Sequence, residues 1–152
     1  MNPHSNNQLS NFEIDNILKK YKRFKGCYSK DVITNNDLEK NCYYIINIQS
    51  SKDGDGSHWT CLYMLHHNMA LYLDPMGYPP PEELEELIPF IIWDEKPIQD
   101  LESTACGYYC IAFIKLSYYM KDKNKALKYF NDLFTNKTRQ NDYILQQLLK
   151  LK

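Results

Sequence analysis

Residues 103–120 read Ser-Thr-Ala-Cys-Gly-Tyr-Tyr-Cys-Ile-Ala-Phe-Ile-Lys-Leu-Ser-Tyr-Tyr-Met, with one charge in the whole run. A helix that is apolar almost all round has no face to give to water, so it must lie in the middle of a core. The rest of the chain then has to cover it. At 152 residues there is enough chain for one packed core and too little for two.

The covering elements follow from local pattern. Residues 1–9 are expected to form a flexible N-terminal tail, His4 included, ahead of one domain over 10–152. Phe12, Ile14, Ile17, Leu18 and Tyr21 recur at helical spacing, which predicts a helix over 10–25. Ser10 or Asn11 is its candidate cap, and Gly26 sits where a C-terminal cap is expected. Residues 42–48, rich in β-branched and aromatic side chains, read as a buried strand. A polar glycine loop over 50–56 precedes two strands, 59–65 and 70–73, with His66, His67 and Asn68 as the turn of a hairpin. After Pro79-Pro80-Pro81, residues 82–87 begin a short helix with acids in its first turn, where they suit the helix dipole. Residues 98–101 are a candidate edge strand, and 123–134 and 138–151 read as closing amphipathic helices. The result is an α+β domain, a small mixed β-sheet packed on a buried central helix.

Composition excludes several classes. The longest apolar runs, 110–114 and 87–93, fall well short of a membrane span, and the first residues lack the basic and apolar regions of a signal peptide. A protein made and used inside cells, with no membrane partner, is expected. The five cysteines, at 27, 42, 61, 106 and 110, are odd in number and irregularly placed, which does not suit a disulfide framework. No C-x-x-C or H-x-x-x-H pair occurs, so neither a metal site nor a cofactor is expected. One reactive thiol among packing cysteines is the simpler account. The formal net charge is −1, yet residues 1–113 carry −7 and residues 114–152 carry +6. We read that basic end as a solvated outer face rather than an anion site.

Three segments carry chemistry. His58 stands at the mouth of a strand in Gly56-Ser57-His58-Trp59, Asp74 at the exit of the next in Leu73-Asp74-Pro75-Met76-Gly77, and Cys106 at the start of the core helix. A helix N-terminus favours a thiolate with roughly half a positive charge, and an adjacent imidazole can take the proton. A carboxylate on the other ring nitrogen fixes the tautomer and stabilises the imidazolium. Attack on a carbonyl then builds an oxyanion, for which Gln99 and the main-chain N–H groups at Cys106 and Gly107 are candidate donors, one being worth about 3 kcal/mol. Gly107 is expected to keep the approach to that backbone open. Asp100 and Glu102 are nearby polar alternatives. Trp59 is either a wall of the substrate cleft, with Gly56, or a core residue. The adjacent strands bring His58 beside Asp74, while the meeting with Cys106 is a question for the fold.

The motifs Gly-Ser-His-Trp, Leu-Asp-Pro-Met-Gly and Gln-Asp-Leu-Glu-Ser-Thr-Ala-Cys-Gly-Tyr-Tyr-Cys resemble those of the adenovirus maturation protease family (adenain), in particular the short adenain-like proteases of virophages and Polinton/Maverick elements. Phe24-Lys-Gly-Cys-Tyr-Ser-Lys-Asp31 and Ile45-Ile-Asn-Ile-Gln49 resemble that family's N-terminal pattern, so the similarity spans about residues 10–120. The order histidine, acid, glutamine, cysteine is also that of the wider clan holding the proteases of ubiquitin-like modifiers. The resemblance implies a Cys106, His58, Asp74 triad with a Gln99 oxyanion donor; adenovirus enzymes carry Glu where this chain has Asp74. It also implies an adenain-like fold and a cysteine endopeptidase that cleaves capsid or virion precursors near glycine or other small residues. The expected location is the virion and the infected host cell, nucleus or cytoplasmic viral factory. A peptide or DNA activator follows from the resemblance alone. Two other accounts stand beside it, a deubiquitinase or deSUMOylase of the same clan and an inactive virion binding or scaffolding protein.

Overall fold

Apolar residues on alternate positions of a strand face opposite ways, so a strand with no polar position needs cover on both sides. β2 (Tyr43–Asn47) is buried at every position and β3 (Trp59–His66) at all but its last. They form the middle of a five-stranded sheet of order β1-β2-β3-β4-β5, completed by β1 (Phe24–Ser29), β4 (Met69–Leu73) and β5 (Phe90–Trp93). The computed structural model describes residues 8–53 and 58–151. The β2–β3 and β3–β4 pairs are antiparallel, and the outer pairs β1–β2 and β4–β5 are parallel, so the sheet is mixed.

The core helix predicted from its apolar run is α3 (Cys106–Ser117), in which only Lys115 and Leu116 escape full burial. It packs on the sheet face carrying Tyr43, Ile45, Cys61 and Tyr63. Three helices enclose it: Ile14 and Leu18 of α1 (Asn11–Leu18), Phe130 of α4 (Ala126–Asp132), and Leu145 and Leu149 of α5 (Asn141–Leu149). The opposite sheet face, with Tyr44, Ile46, Leu62 and Tyr72, is covered by Ile33 and by Leu84 and Ile88 at α2 (Glu82–Leu87). Burying each large apolar side chain is worth about 1.5–3 kcal/mol, so α3 is the energetic centre of this single α+β domain, with five α-helices among the described residues.

Four expectations change. Ser10 is the cap of α1, in a capping box with Glu13, but the helix ends at Leu18 because residues 24–29 find a ladder partner in β2. Gly26 is therefore no helix stop: it takes φ 131° where β1 slips register between Phe24 and Cys27. The edge strand is 90–93 rather than 98–101, since the N–H groups of Ile98 and Gln99 donate to the carbonyl of Pro75 at 2.8 and 2.9 Å. Leu9 does not belong to a flexible tail; it is 7% exposed and packs in the main core, while residues 1–7 lie outside the described residues.

Candidate active site

The β3–β4 register sets Cys61 opposite Leu73, so the residues just before β3 and just after β4 emerge at one end of the sheet. These are His58 and Asp74. The carbonyl of His58 accepts the N–H of Ile48 at 3.2 Å, which extends the β2 ladder by one step and fixes the histidine backbone. Its Nε2 lies 2.6 Å from Oδ1 of Asp74, a carboxylate that is almost fully buried.

A tight turn holds that carboxylate. Oδ1 of Asp74 accepts the N–H of Met76 at 2.8 Å, and the main-chain N–H of Gly77 donates to the Asp74 carbonyl at 2.8 Å. Gly77 has φ 79°, and a Cβ there would sit 2.6 Å from the Glu95 carbonyl oxygen, so only glycine fits. The same turn offers the Pro75 carbonyl to Ile98 and Gln99. One loop thereby seats both the acid and the glutamine.

Cys106 is the first residue of α3 and is 1% exposed. No side chain caps this helix, so its first N–H groups face forward. The sulfur accepts the main-chain N–H of Trp59 at 3.4 Å and lines the same cleft as His58. With Nε2 committed to Asp74, Nδ1 is the ring nitrogen left for the thiol. Burial by itself would lower the pKa of His58, but the hydrogen bonds and charges of Asp74 and Cys106 outweigh it and raise the value to about 9. The arrangement can move a proton from Sγ to the imidazole and keep the resulting charges paired.

Gln99 is buried, and its Nε2 donates to the Ser103 carbonyl at 2.8 Å. Because a carbonyl only accepts, this bond fixes which end of the amide is which and leaves the second N–H of Nε2 for another acceptor. Its Oε1 has no hydrogen-bond partner among the described residues, nor does Oδ2 of Asp74. Gln99, His58 and Cys106 share a cleft of about 400 Å³ with Ile48, Met76 and Tyr78.

All three triad candidates and Gln99 are thus within one site, contributed by the residues flanking β3 and β4, by α3 and by the segment before it. Two residues beside the site can be placed, and a third cannot. Gly107 serves packing, since a Cβ would press on Leu9 and Ile14 side-chain atoms at 3.3–3.4 Å. Trp59 is 4% exposed and lines a neighbouring cavity of about 430 Å³, not this cleft. Gly56 lies outside the described residues. Of the polar alternatives, Asp100 is engaged by Thr138 Oγ1 at 2.9 Å and by the N–H of Glu102, and Glu102 is exposed. Sequence reasoning missed the Trp59 N–H and the Ser103 carbonyl, since main-chain groups carry no residue-type signal.

All five cysteines are free. Among the described residues no group of three or more His, Cys, Asp or Glu gathers in a way that could hold a metal ion, and no helix is long and apolar enough to cross a membrane. No protein-family model matches the chain, and no curated protein matches it.

Proposed function

We propose that the chain is a cysteine endopeptidase with Cys106 as nucleophile. The observation that carries the reading is one imidazole, His58, bound by Nε2 to a buried carboxylate and lining one cleft with a thiol at a helix N-terminus. The thiol proton passes to His58, and Sγ attacks the peptide carbonyl carbon; the new S–C bond places charge on the carbonyl oxygen. Gln99 Nε2–H and the Cys106 main-chain N–H receive that oxygen. As the intermediate collapses, the C–N bond breaks and the amine leaves with the proton from His58. Water, deprotonated by the same imidazole, then hydrolyses the thioester and returns the thiol.

The substrates proposed are capsid or virion precursor polypeptides cut near glycine or other small residues, in the virion or the infected cell. Support for this part is the motif resemblance. The adenain-like architecture, too, rests on the motifs.

The test is incubation of wild type and Cys106→Ala with a capsid precursor carrying glycine-containing junctions. Cleavage by the wild type alone is expected; cleavage by both would remove Cys106 as nucleophile. Faster hydrolysis of ubiquitin- or SUMO-type conjugates than of glycine-containing peptides would move the substrate assignment to modifier removal.

A further inference from the structure

Asp142 lies in the first turn of α5, remote in sequence from every motif that carries the chemistry. Its carboxylate accepts two hydroxyls, Ser103 Oγ at 3.0 Å and Tyr109 OH at 2.8 Å. Hydrogen bonds to an ionised acceptor are among the stronger ones, so both partners are held firmly. Tyr109 is in the first turn of α3. Ser103 is in the segment that joins Gln99 to that helix.

Ser103 passes this anchoring on in two directions. With its proton given to Asp142, Oγ accepts the N–H of Ala105 at 3.1 Å, the residue immediately before α3. Its main-chain carbonyl accepts Gln99 Nε2 at 2.8 Å. The Ser103 N–H in turn donates to the Asp100 carbonyl at 3.0 Å, and Asp100 is strapped to Thr138 just ahead of α5. Were Ser103 to drift, the Gln99 amide would lose the one acceptor that orients it, and its unpartnered Oε1 could turn toward the cleft.

We infer that Asp142 is a positioning residue that, through Ser103, holds the Gln99 amide and the first turn of α3 where an oxyanion would be received. The inference rests on the reading of Cys106 as nucleophile. Asp142 does not line the cleft and is not itself a catalytic residue.

Two probes of the same sulfur separate positioning from general support. Iodoacetamide is attacked at a tetrahedral carbon: the S–C bond forms, iodide leaves, and no oxyanion arises. A peptide aldehyde ending in glycinal is attacked at its carbonyl: the S–C bond forms, the π bond opens, and the oxygen takes the His58 proton while held by the donors. Asp142→Ala and Ser103→Ala are expected to lower kcat for a fluorogenic Gly-Gly peptide amide by about ten- to a hundredfold and to weaken glycinal inhibition by a similar factor. KM and the rate of Cys106 alkylation should change by less than about twofold, and the double variant should be no worse than either single one. Ser103→Ala keeps the Asp142–Tyr109 bond, so it carries the test if Asp142→Ala does not fold. Alkylation falling in step with hydrolysis would make the contact merely structural and overturn the inference, as would unchanged hydrolysis. A wild type that hydrolyses no peptide and shows no selective alkylation at Cys106 would instead overturn the protease reading itself.

Discussion

The main-chain N–H of Trp59 reaches the sulfur of Cys106 over 3.4 Å, joining the first residue of β3 to the first residue of α3. A backbone donor in a paired strand cannot swing away as a side chain can, and Trp59 is paired with Asn47. The sulfur is therefore fixed against the sheet before His58 acts on it. The rest of Trp59 fastens the same corner, its indole N–H donating to the Leu9 carbonyl at 2.9 Å and its own carbonyl accepting from Cys110 Sγ.

Trp59→Phe keeps most of the apolar bulk and removes the indole donor, leaving the Leu9 carbonyl buried without its partner. Stability is expected to fall by about 1–3 kcal/mol, read as a lower urea midpoint at unchanged slope. Limited proteolysis ahead of Ser10 should quicken. An unchanged midpoint would mean that this bond contributes nothing net.

His58 holds its proton up to about pH 9, against 6.5 for an ordinary histidine. The folded state thus binds the proton more tightly than the unfolded chain, so the stabilisation is complete below pH 6.5 and is lost as pH rises through about 9. The stability advantage of wild type over His58→Gln should shrink between pH 6 and 9.5 in urea melts. Peptide hydrolysis, which needs the His58 proton for the leaving amine, should fall above about pH 9, whereas iodoacetamide alkylation, which needs only the thiolate, should not. Asp74→Asn removes a charge that raises the histidine pKa and should move the falling limb to lower pH.

Gln99→Ala removes one proposed oxyanion donor while leaving the Cys106–His58 pair in place. A loss of about 10²–10³ in kcat is expected, with alkylation of Cys106 retained. Equal loss of both would show that Gln99 supports the fold rather than the intermediate.

Gly77→Ala forces a side chain into φ 79° and against the Glu95 carbonyl. The backbone strain alone should cost about 1–3 kcal/mol, and the contact adds to it. Because this turn seats Asp74 and Gln99 together, residual activity in the folded fraction should also drop, as measured by active-site titration against total folded protein.

Where residue type and spacing carry the physics, the sequence was readable. The hairpin 59–73 showed in its strand-forming runs and the polar turn at His67-Asn68, and the helix 82–87 showed in acids after a proline run. Pattern failed where two outcomes share one local signal. Residues 24 and 25 continue plausibly from a helix, and 98–101 look like a strand; what decides each is a hydrogen-bond partner far along the chain, β2 for the first and Pro75 for the second. Asp142 was invisible as a support because its bonds to Ser103 and Tyr109 cross more than thirty positions.

The amino-acid order alone determined that α3 would be central and that a cysteine would stand at its start, since an all-apolar helix can be stable only inside a core. It also determined that a histidine and an acid would leave the same end of one hairpin. Only the tertiary structure decided that the thiol and the imidazole line one cleft, that a strand N–H points at the sulfur, and that a distant carboxylate is bonded to the serine that holds the glutamine. Those are matters of distance between segments, which packing sets and local sequence does not encode.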